Sequence, residues 1–298
     1  MINYYETAKA HPEIFKQLAC KELLFVHYHC PLEQTINGKW SQHNYFMYIL
    51  TGKMVYHTPG QSWPLLKGNA IFVKKGACIM EKFFEEVICI VTFFVPDSYL
   101  RSFVREHIAL VDKNNGPSVS NDLVISVKTN SILSAYIDSV LPYFFQEDKP
   151  SEDLLELKFR ELLLHMVTDC ANCDLTAYLQ SLLHSQADSL QQIMEANCLF
   201  NLTLSDYAKL CNRSLSSFKR DFHAVYKTSP GSWLLNKKLD YAHNLLVSSG
   251  KSINDVSFES GFENSTHFSR VFKERFGISP LQYKTKAGHT FPSPQPVN

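Results

Sequence analysis

The sequence has no long apolar run and no leader-like start. A membrane-spanning helix needs about 20 consecutive apolar residues, and no stretch approaches that length. The first residues, MINYYETAKAHPEIF, contain neither the basic segment nor the apolar segment of a secretory signal. We therefore expect a cytoplasmic protein that makes no contact with a membrane.

Closely spaced cysteines are also scarce. The eight Cys are scattered, apart from the pair Cys170 and Cys173 in DCANCD. A redox motif would need a βαβ context, and a zinc knot would need a second pair. Neither is present, so we interpret the pair as ordinary cysteines near helix ends. Free thiols agree with a reducing compartment.

The chain lacks net charge as well, because 29 Lys and Arg balance 29 Asp and Glu. The two halves differ, however. Residues 186–298 hold 13 Lys and Arg against 9 Asp and Glu, a net charge of +4, and the preceding residues carry −4. This asymmetry has the sign expected of a C-terminal module that meets phosphates.

Short runs of β-branched and aromatic residues fill the first hundred positions, separated by Gly, Pro and Asn turns. Thr51-Gly52-Lys53 and Pro59-Gly60 fit hairpin turns. Many short strands with close turns are typical of a sandwich or barrel, which we place at about residues 20–95. The runs are KELLFVHY, NYFMYIL, KMVYHT, AIFVKK and VICIVTFFV.

After Pro96, apolar residues recur at three- and four-residue spacing, which predicts helices over about residues 97–184. The polar stretch at 185–188 marks the predicted domain boundary. One apolar stripe fits either a dimer seam or burial against the barrel, and both readings stay open. Its members are Leu155, Phe159, Leu162 and Met166.

The predicted fold class is therefore α+β with two domains. Residues 1–185 form a β-barrel or jelly roll with flanking helices, and residues 186–287 form an all-α domain. Residues 288–298 hold three Pro and no charge, so we expect a disordered tail.

One pattern occurs twice in the C-terminal domain. Residues 218–230 read FKRDFHAVYKTSP, and residues 268–280 read FSRVFKERFGISP. Upstream, Thr203 and Ser252 each precede an Asp by three positions. A hydroxyl followed by an Asp at this distance predicts the capped start of a short helix.

After each short helix comes a turn that contains Asn212 or Gly261, residues that tolerate positive φ. Ser214, or Asn264 with Ser265, then caps a second helix. Helix, short turn and helix is the helix-turn-helix plan, whose second helix enters the major groove of DNA.

Each second helix divides into an apolar face and a polar face. Arg can grip guanine through two hydrogen bonds, and Ser or Thr can contact either base type. The side chains expected to face the core are Phe218, Phe222 and Val225 in the first copy, and Phe268, Val271 and Phe272 in the second. The candidate DNA-binding residues are Leu215, Ser216, Lys219, Arg220 and His223, with Ser265, Thr266, Ser269, Arg270 and Lys273.

Between the copies, SWLLNKKLDYAHNLLVSSGK predicts one long helix with an apolar stripe. This helix would hold the two reading helices at successive major-groove segments, about 34 Å apart. The repeat therefore predicts double-stranded DNA as the partner, read at two adjacent major-groove segments.

Residues 188–286 resemble the DNA-binding domain of the AraC/XylS family of bacterial transcription regulators. The resemblance implies base contacts at the two second helices, with RNA polymerase as a further partner and activation more often than repression. Lys227 and Asn212 depart from the family's Gly, and a non-Gly residue in a left-handed turn costs on the order of 1 kcal/mol. The signature residues are Ile253, Ser257, Gly261, Phe262, Phe268, Phe272, Lys273, Phe276, Gly277, Pro280 and Tyr283.

The N-terminal domain resembles the cupin-like sensor and dimerisation domains of many such regulators. This implies a small-molecule or protein effector of unknown identity and a homodimer. Metal-binding cupins place a carboxylate and a His where this chain has Tyr45 and Ile79, so we expect no metal, no cofactor and no enzyme activity.

Two alternatives stay open. His27 and His29 in HYHCPLE, with Glu33 and a nearby His43 or His57, could hold a metal ion, which would favour a metal-dependent cupin enzyme fused to a DNA-binding module. The other alternative is a nucleoid-type protein that binds DNA without sequence preference.

Overall fold

The chain folds into two compact units, Met1–Ser189 and Leu190–Asn298, called here the N-terminal and C-terminal units. The predicted boundary at residues 185–188 lies outside the described residues. Within the described ranges, every helix falls short of the length and apolar character that a membrane crossing requires. The computed structural model describes residues 1–29, 36–83, 87–113, 122–184 and 190–290.

The N-terminal unit contains two β-sheets that enclose an apolar core. One sheet has the order β1-β4-β9-β6-β7 and the other β11-β8-β5-β10-β3-β2. All recorded strand pairs are antiparallel except β1 with β4. The strands are β1 (Ile2–Asn3), β2 (Phe15–Cys20), β3 (Leu23–His29), β4 (Ile36–Ser41), β5 (Asn44–Thr51), β6 (Lys53–Thr58), β7 (Gln61–Leu66), β8 (Ala70–Val73), β9 (Gly76–Phe83), β10 (Cys89–Val95) and β11 (Val124–Val127).

The sheets form a jelly-roll-like sandwich and do not close into a barrel. Pro59-Gly60 connects the paired strands β6 and β7, so the predicted hairpin is confirmed. The hairpin predicted at Thr51-Gly52-Lys53 is wrong, because β5 and β6 belong to different sheets. Gly52 is the corner between them: its φ is +83°, and a Cβ there would lie 2.8 Å from the Ile88 side chain.

Strands also occur outside the predicted span of residues 20–95. β1 and β2 precede it, and β11 lies among the helices, where it pairs with β8. The helices of the N-terminal unit are α1 (Tyr4–Ala10), α2 (Asp97–Glu106), α3 (Ile108–Lys113), α4 (Ser131–Val140), α5 (Glu152–Thr168) and α6 (Cys173–His184), with 3₁₀ turns at Leu141–Phe144 and Cys170–Asn172.

The apolar stripe of α5 packs on the outer face of the six-stranded sheet. The ring of Phe159 lies 5.9 Å from that of Phe25 and 6.4 Å from that of Phe93. Leu155, Phe159, Leu162 and Met166 are all buried within one chain. Of the two readings left open by the sequence, burial against the sheet is therefore correct, and this stripe is not a dimer seam.

A buried polar cluster connects the start of α2 to the strands. Asp97 accepts hydrogen bonds from Asn44 Nδ2 (2.6 Å) and from Lys75 Nζ (2.8 Å). Asn44 Oδ1 in turn accepts from the backbone of Lys75 and from the Tyr178 hydroxyl on α6. Burial alone would raise the pKa of Asp97, but Lys75 and Asn44 lower it below its ordinary value.

The C-terminal unit is all helical in its described part. The last helix runs three residues past the predicted start of the tail, because the first proline of FPSPQPVN comes only at residue 292. Residues 291–298 lie outside the described residues. The helices are α7 (Leu190–Asn197), α8 (Leu204–Leu210), α9 (Leu215–Tyr226), α10 (Pro230–Ser248), α11 (Ile253–Glu259), α12 (Ser265–Phe276) and α13 (Pro280–Thr290).

Candidate nucleic-acid interface

Two helix-turn-helix units begin with the same cap. Thr203 Oγ1 accepts from the backbone N–H of Asp206, whose carboxylate accepts from the backbone N–H of Thr203 (2.9 Å). Ser252 and Asp255 repeat this reciprocal pair at the start of α11. The hydrogen bonds from Ser252 lower the pKa of Asp255. Both predicted caps are confirmed as complete capping boxes.

The turns inside the two units have the same geometry. Asn212 has φ 52° and Gly261 has φ 79°, so both lie in the left-handed region that the sequence predicted. The following backbone N–H bonds five residues back in each copy, Arg213 to Ala208 and Phe262 to Ser257. Asn212 therefore keeps the turn in the form that Gly gives the second copy.

The second helices, α9 and α12, begin and end alike. Ser214 caps α9, and Asn264 caps α12 by accepting from the backbone N–H groups of Thr266 and His267. Lys227 (φ 56°) and Gly277 (φ 80°) close the two helices in left-handed conformation. The Ser-Pro pairs do more than stop these segments, since Pro230 and Pro280 are the first residues of α10 and α13.

One predicted core position of α9 is wrong. Phe218 and Phe222 are fully buried, but Val225 is 47% exposed. Tyr226 takes the inward position instead, with its ring 4.5 Å from Phe222 and 4.9 Å from Trp233 of α10. Seven residues on a helix sweep about 700°, so helix geometry alone would place Val225 on the same side as Phe218. The packing of Tyr226 against Trp233 of α10 instead sets the inward position at this end of α9.

In α12 the predicted stripe is confirmed. Phe268, Val271 and Phe272 are buried, and they share one cluster with Leu239 and Leu246 of α10. The two buried stripes determine which side of each helix stays available to a partner.

The candidate DNA-binding residues lie outside the buried stripes of α9 and α12. Ser265 and Ser269 are partly buried, and the other eight candidates are exposed. The structure thus brings the candidates together in two groups, one on each second helix. The exposed ones are Leu215, Ser216, Lys219, Arg220, His223, Thr266, Arg270 and Lys273.

The two candidate arginines have carboxylate neighbours in the free protein. Arg270 Nη1 lies 2.6 Å from Glu274 Oε1, and Arg220 Nε lies 3.2 Å from Asp221 Oδ1. The side chains of Arg270 and Glu274 are about 60% exposed, and ion pairs this exposed contribute little stability. The Arg270 guanidinium can therefore exchange Glu274 for another partner at a small cost in stability.

Sequence reasoning missed Arg275, which fixes α12 to α10. Its guanidinium donates to the Asn236 backbone carbonyl (2.7 Å) and to Asp240 Oδ1 (2.5 Å). These partners stand 35 and more residues earlier in the chain, so no local pattern could have revealed them.

The histidines considered for a metal ion do not form a ligand set. His29 Nδ1 lies 3.1 Å from Cys89 Sγ, whereas the buried ring of His27 packs on Phe144 and Phe145. Both histidines stand on an inner strand of the six-stranded sheet, since β3 lies between β10 and β2. Glu33 lies outside the described residues, and the described His, Cys, Asp and Glu include no group of three that could hold a metal ion.

Comparison with known proteins assigns both parts of the chain. A family model described as the ExsA N-terminal regulatory domain matches residues 44–178, and a helix-turn-helix domain model matches residues 207–286. The thermoregulatory protein LcrF of Yersinia pestis is 28% identical over 78% of this chain and 86% of its own length. The chain belongs to the AraC/XylS family of transcription regulators.

Other members of the family align over most of this chain. The virulence regulon transcriptional activator VirF of Yersinia enterocolitica is 27% identical over 78% of this chain and 86% of its own. The HTH-type transcriptional regulator ExsA of Pseudomonas aeruginosa is 25% identical over 89% of this chain and 93% of its own. This AraC/XylS protein is thus a DNA-binding regulator with an N-terminal regulatory domain.

Proposed function

We propose that this regulator binds DNA sequence-specifically by placing α9 and α12 in two adjacent major-groove segments. The observation that carries the proposal is the repeated construction of the two units. Each second helix follows a capped, left-handed turn and points its polar face away from a buried aromatic stripe. The proposed base and phosphate contacts come from Leu215, Ser216, Lys219, Arg220, His223, Ser265, Thr266, Ser269, Arg270 and Lys273.

In vitro selection from random duplex DNA with the full chain tests this proposal. We expect enrichment of two short motifs about ten base pairs apart, since two helices on one face of DNA lie about one helical turn apart. Binding that enriches no motif and only fades with added salt would mean contacts to phosphates alone. The nucleoid-type alternative would then replace the proposal.

We also propose that the bound protein recruits RNA polymerase and raises transcription. Support comes from the relatives, one of which is named a transcriptional activator. In vitro transcription from a promoter that carries the selected motifs should rise when the protein is added. A fall in transcript would instead indicate a repressor.

We propose that the N-terminal unit responds to a small molecule or a protein partner. We also place the protein in the bacterial cytoplasm, where it would associate with the nucleoid. Its match to a regulatory-domain model supports this role. An effector would shift the equilibrium between arrangements in which the two chains of a homodimer present their C-terminal units to DNA.

A further inference from the structure

A lysine in the middle of α10 connects the segment that enters the first helix-turn-helix unit to the turn of the second. Lys238 Nζ donates to Asn201 Oδ1 (2.7 Å) and to the backbone carbonyl of Gly261 (2.7 Å). Asn201 stands two residues before Thr203, the cap of the first unit, and Gly261 forms the turn of the second. One ammonium group therefore links the entry of the first unit to the turn of the second.

The backbones of the two units also approach each other at this point. A Cβ on Gly261 would lie 2.2 Å from the Leu199 carbonyl oxygen and 3.0 Å from Lys238 Cε. Real Cβ atoms never come that close to a backbone oxygen. Glycine thus serves two purposes here, the left-handed turn and the close approach of the segment that precedes the first unit.

The surroundings of Lys238 favour a fixed position. Burial lowers the pKa of its ammonium, with Glu263 acting in the opposite direction. A partly buried ammonium that has lost water needs protein acceptors in its place, and two oxygens from different units supply them. Loss of Lys238 would therefore remove a connection between the units as well as a charge.

Other contacts attach each unit to α10 separately. Trp233 packs on Phe222 and Tyr226 of the first unit, and Arg275 of the second unit bonds Asn236 and Asp240. With these contacts alone, the angle between the two helix-turn-helix units would depend only on how stiff α10 is. Lys238 adds a direct connection across it.

We propose that Lys238 is a positioning residue that holds α9 and α12 at one separation, and so sets how many base pairs can lie between the two DNA motifs. This inference rests on the proposed function. One inserted base pair moves the second motif about 3.4 Å along the DNA axis and rotates it around that axis. A rigidly joined pair of helices loses contacts when this happens, whereas a loosely joined pair adapts.

The test measures dissociation constants of the full chain for three duplexes that carry the selected motifs at the preferred spacing, or with one base pair added or removed. For the wild type we expect a loss of about tenfold or more on the altered spacings, the size of one mismatched contact. For Lys238→Met the loss should shrink to about threefold or less. Lys238→Arg, which keeps the charge and the donors, should recover much of the wild-type preference.

Lys237→Met is the matched control. Lys237 is the neighbouring lysine, and its ammonium pairs with Glu195 (2.7 Å) and lies over the Trp233 ring, all on the side of the first unit. It should keep the wild-type spacing preference. Asn201→Ala removes one of the two acceptors of Lys238, so we expect a spacing preference between those of the wild type and Lys238→Met. This variant tests the inference if Lys238→Met does not fold.

A folded Lys238→Met or Asn201→Ala protein with the full wild-type spacing preference would overturn the inference. Failure of the wild type to select any motif would overturn the proposed function instead, so the two failures are distinguishable.

Discussion

At the residue scale, Arg270 is the sharpest candidate for a base contact. It stands on the exposed face of α12, opposite Phe268 and Phe272 and beside Glu274. If Arg270 grips one base, Arg270→Ala should cost about 1–3 kcal/mol of binding free energy at one base position. Competition assays with duplexes substituted at single positions measure this loss.

Arg105→Ala controls for the loss of one positive charge, because Arg105 is an exposed residue of α2 in the N-terminal unit. It should leave DNA affinity unchanged. An equal loss on every duplex for Arg270→Ala, with a shallower salt dependence, would assign Arg270 to phosphate and contradict the base contact.

The two helix ends at Lys227 and Gly277 allow a paired stability test. Lys227 occupies φ 56° without the freedom of glycine, so Lys227→Gly should raise the free energy of unfolding by about 0.5–1 kcal/mol. Gly277→Ala should lower it by about 1 kcal/mol through strain alone, since no atom lies within 4 Å of the added Cβ. Chemical denaturation of each variant measures both changes.

Ala224→Gly, in the exposed interior of α9, is the control for flexibility. It should lower the free energy of unfolding by about 1 kcal/mol. If Lys227→Gly is as destabilising as Ala224→Gly, the left-handed end of α9 is not strained.

At the scale of elements, the attachment of α2 to the sheet should depend on pH. The folded pKa of Asp97 lies below its ordinary value, so the folded protein binds fewer protons than the unfolded chain. Its contribution to stability is full above the unfolded carboxyl pKa, about 4, and is lost as pH falls through the lower folded pKa. Asp97→Asn should cost on the order of 3 kcal/mol at pH 7, because it leaves the buried ammonium of Lys75 without its carboxylate.

Denaturation of wild type and Asp97→Asn at several pH values between 7 and 3 checks this. The difference in free energy of unfolding between the two proteins should become smaller as the pH falls. Glu13→Gln, at an exposed carboxylate near the start of β2, should show little difference at pH 7. A gap between wild type and Asp97→Asn that stays constant with pH would contradict the account.

The helix-turn-helix units were predictable because their signals are local. Each capping box, each left-handed turn and each pair of spaced aromatic residues is formed by residues within about ten positions of one another. The structure contains these features where the sequence indicated them. Gly52 was misread because a turn residue shows that the chain bends but not which sheet it joins next. Lys238 and Arg275 were missed because their partners are distant in sequence, and only the folded unit brings them together.

At the scale of the whole molecule, the homodimer is a prediction from the family resemblance. The α5 stripe is buried within one chain, so a dimer must use other residues. Light scattering of the full chain over a range of concentrations should give twice the mass of one chain. The mass of a single chain at every concentration would contradict the dimer.

The strand pairing of the N-terminal unit has a consequence for how the protein is made. Phe25 of β3 pairs with Phe93 of β10, which comes much later in the chain. β5 lies between β10 and β8 and pairs with both. Such distant pairings fold slowly, whereas the C-terminal unit is held by helices close in sequence, which form quickly. The ribosome makes the chain from its N-terminus, so the slowly folding N-terminal unit leaves it first and the quickly folding C-terminal unit leaves it last. The C-terminal unit can therefore complete its fold while the strands of the N-terminal unit are still pairing, and newly made chains would pass through a state in which only the C-terminal unit is folded.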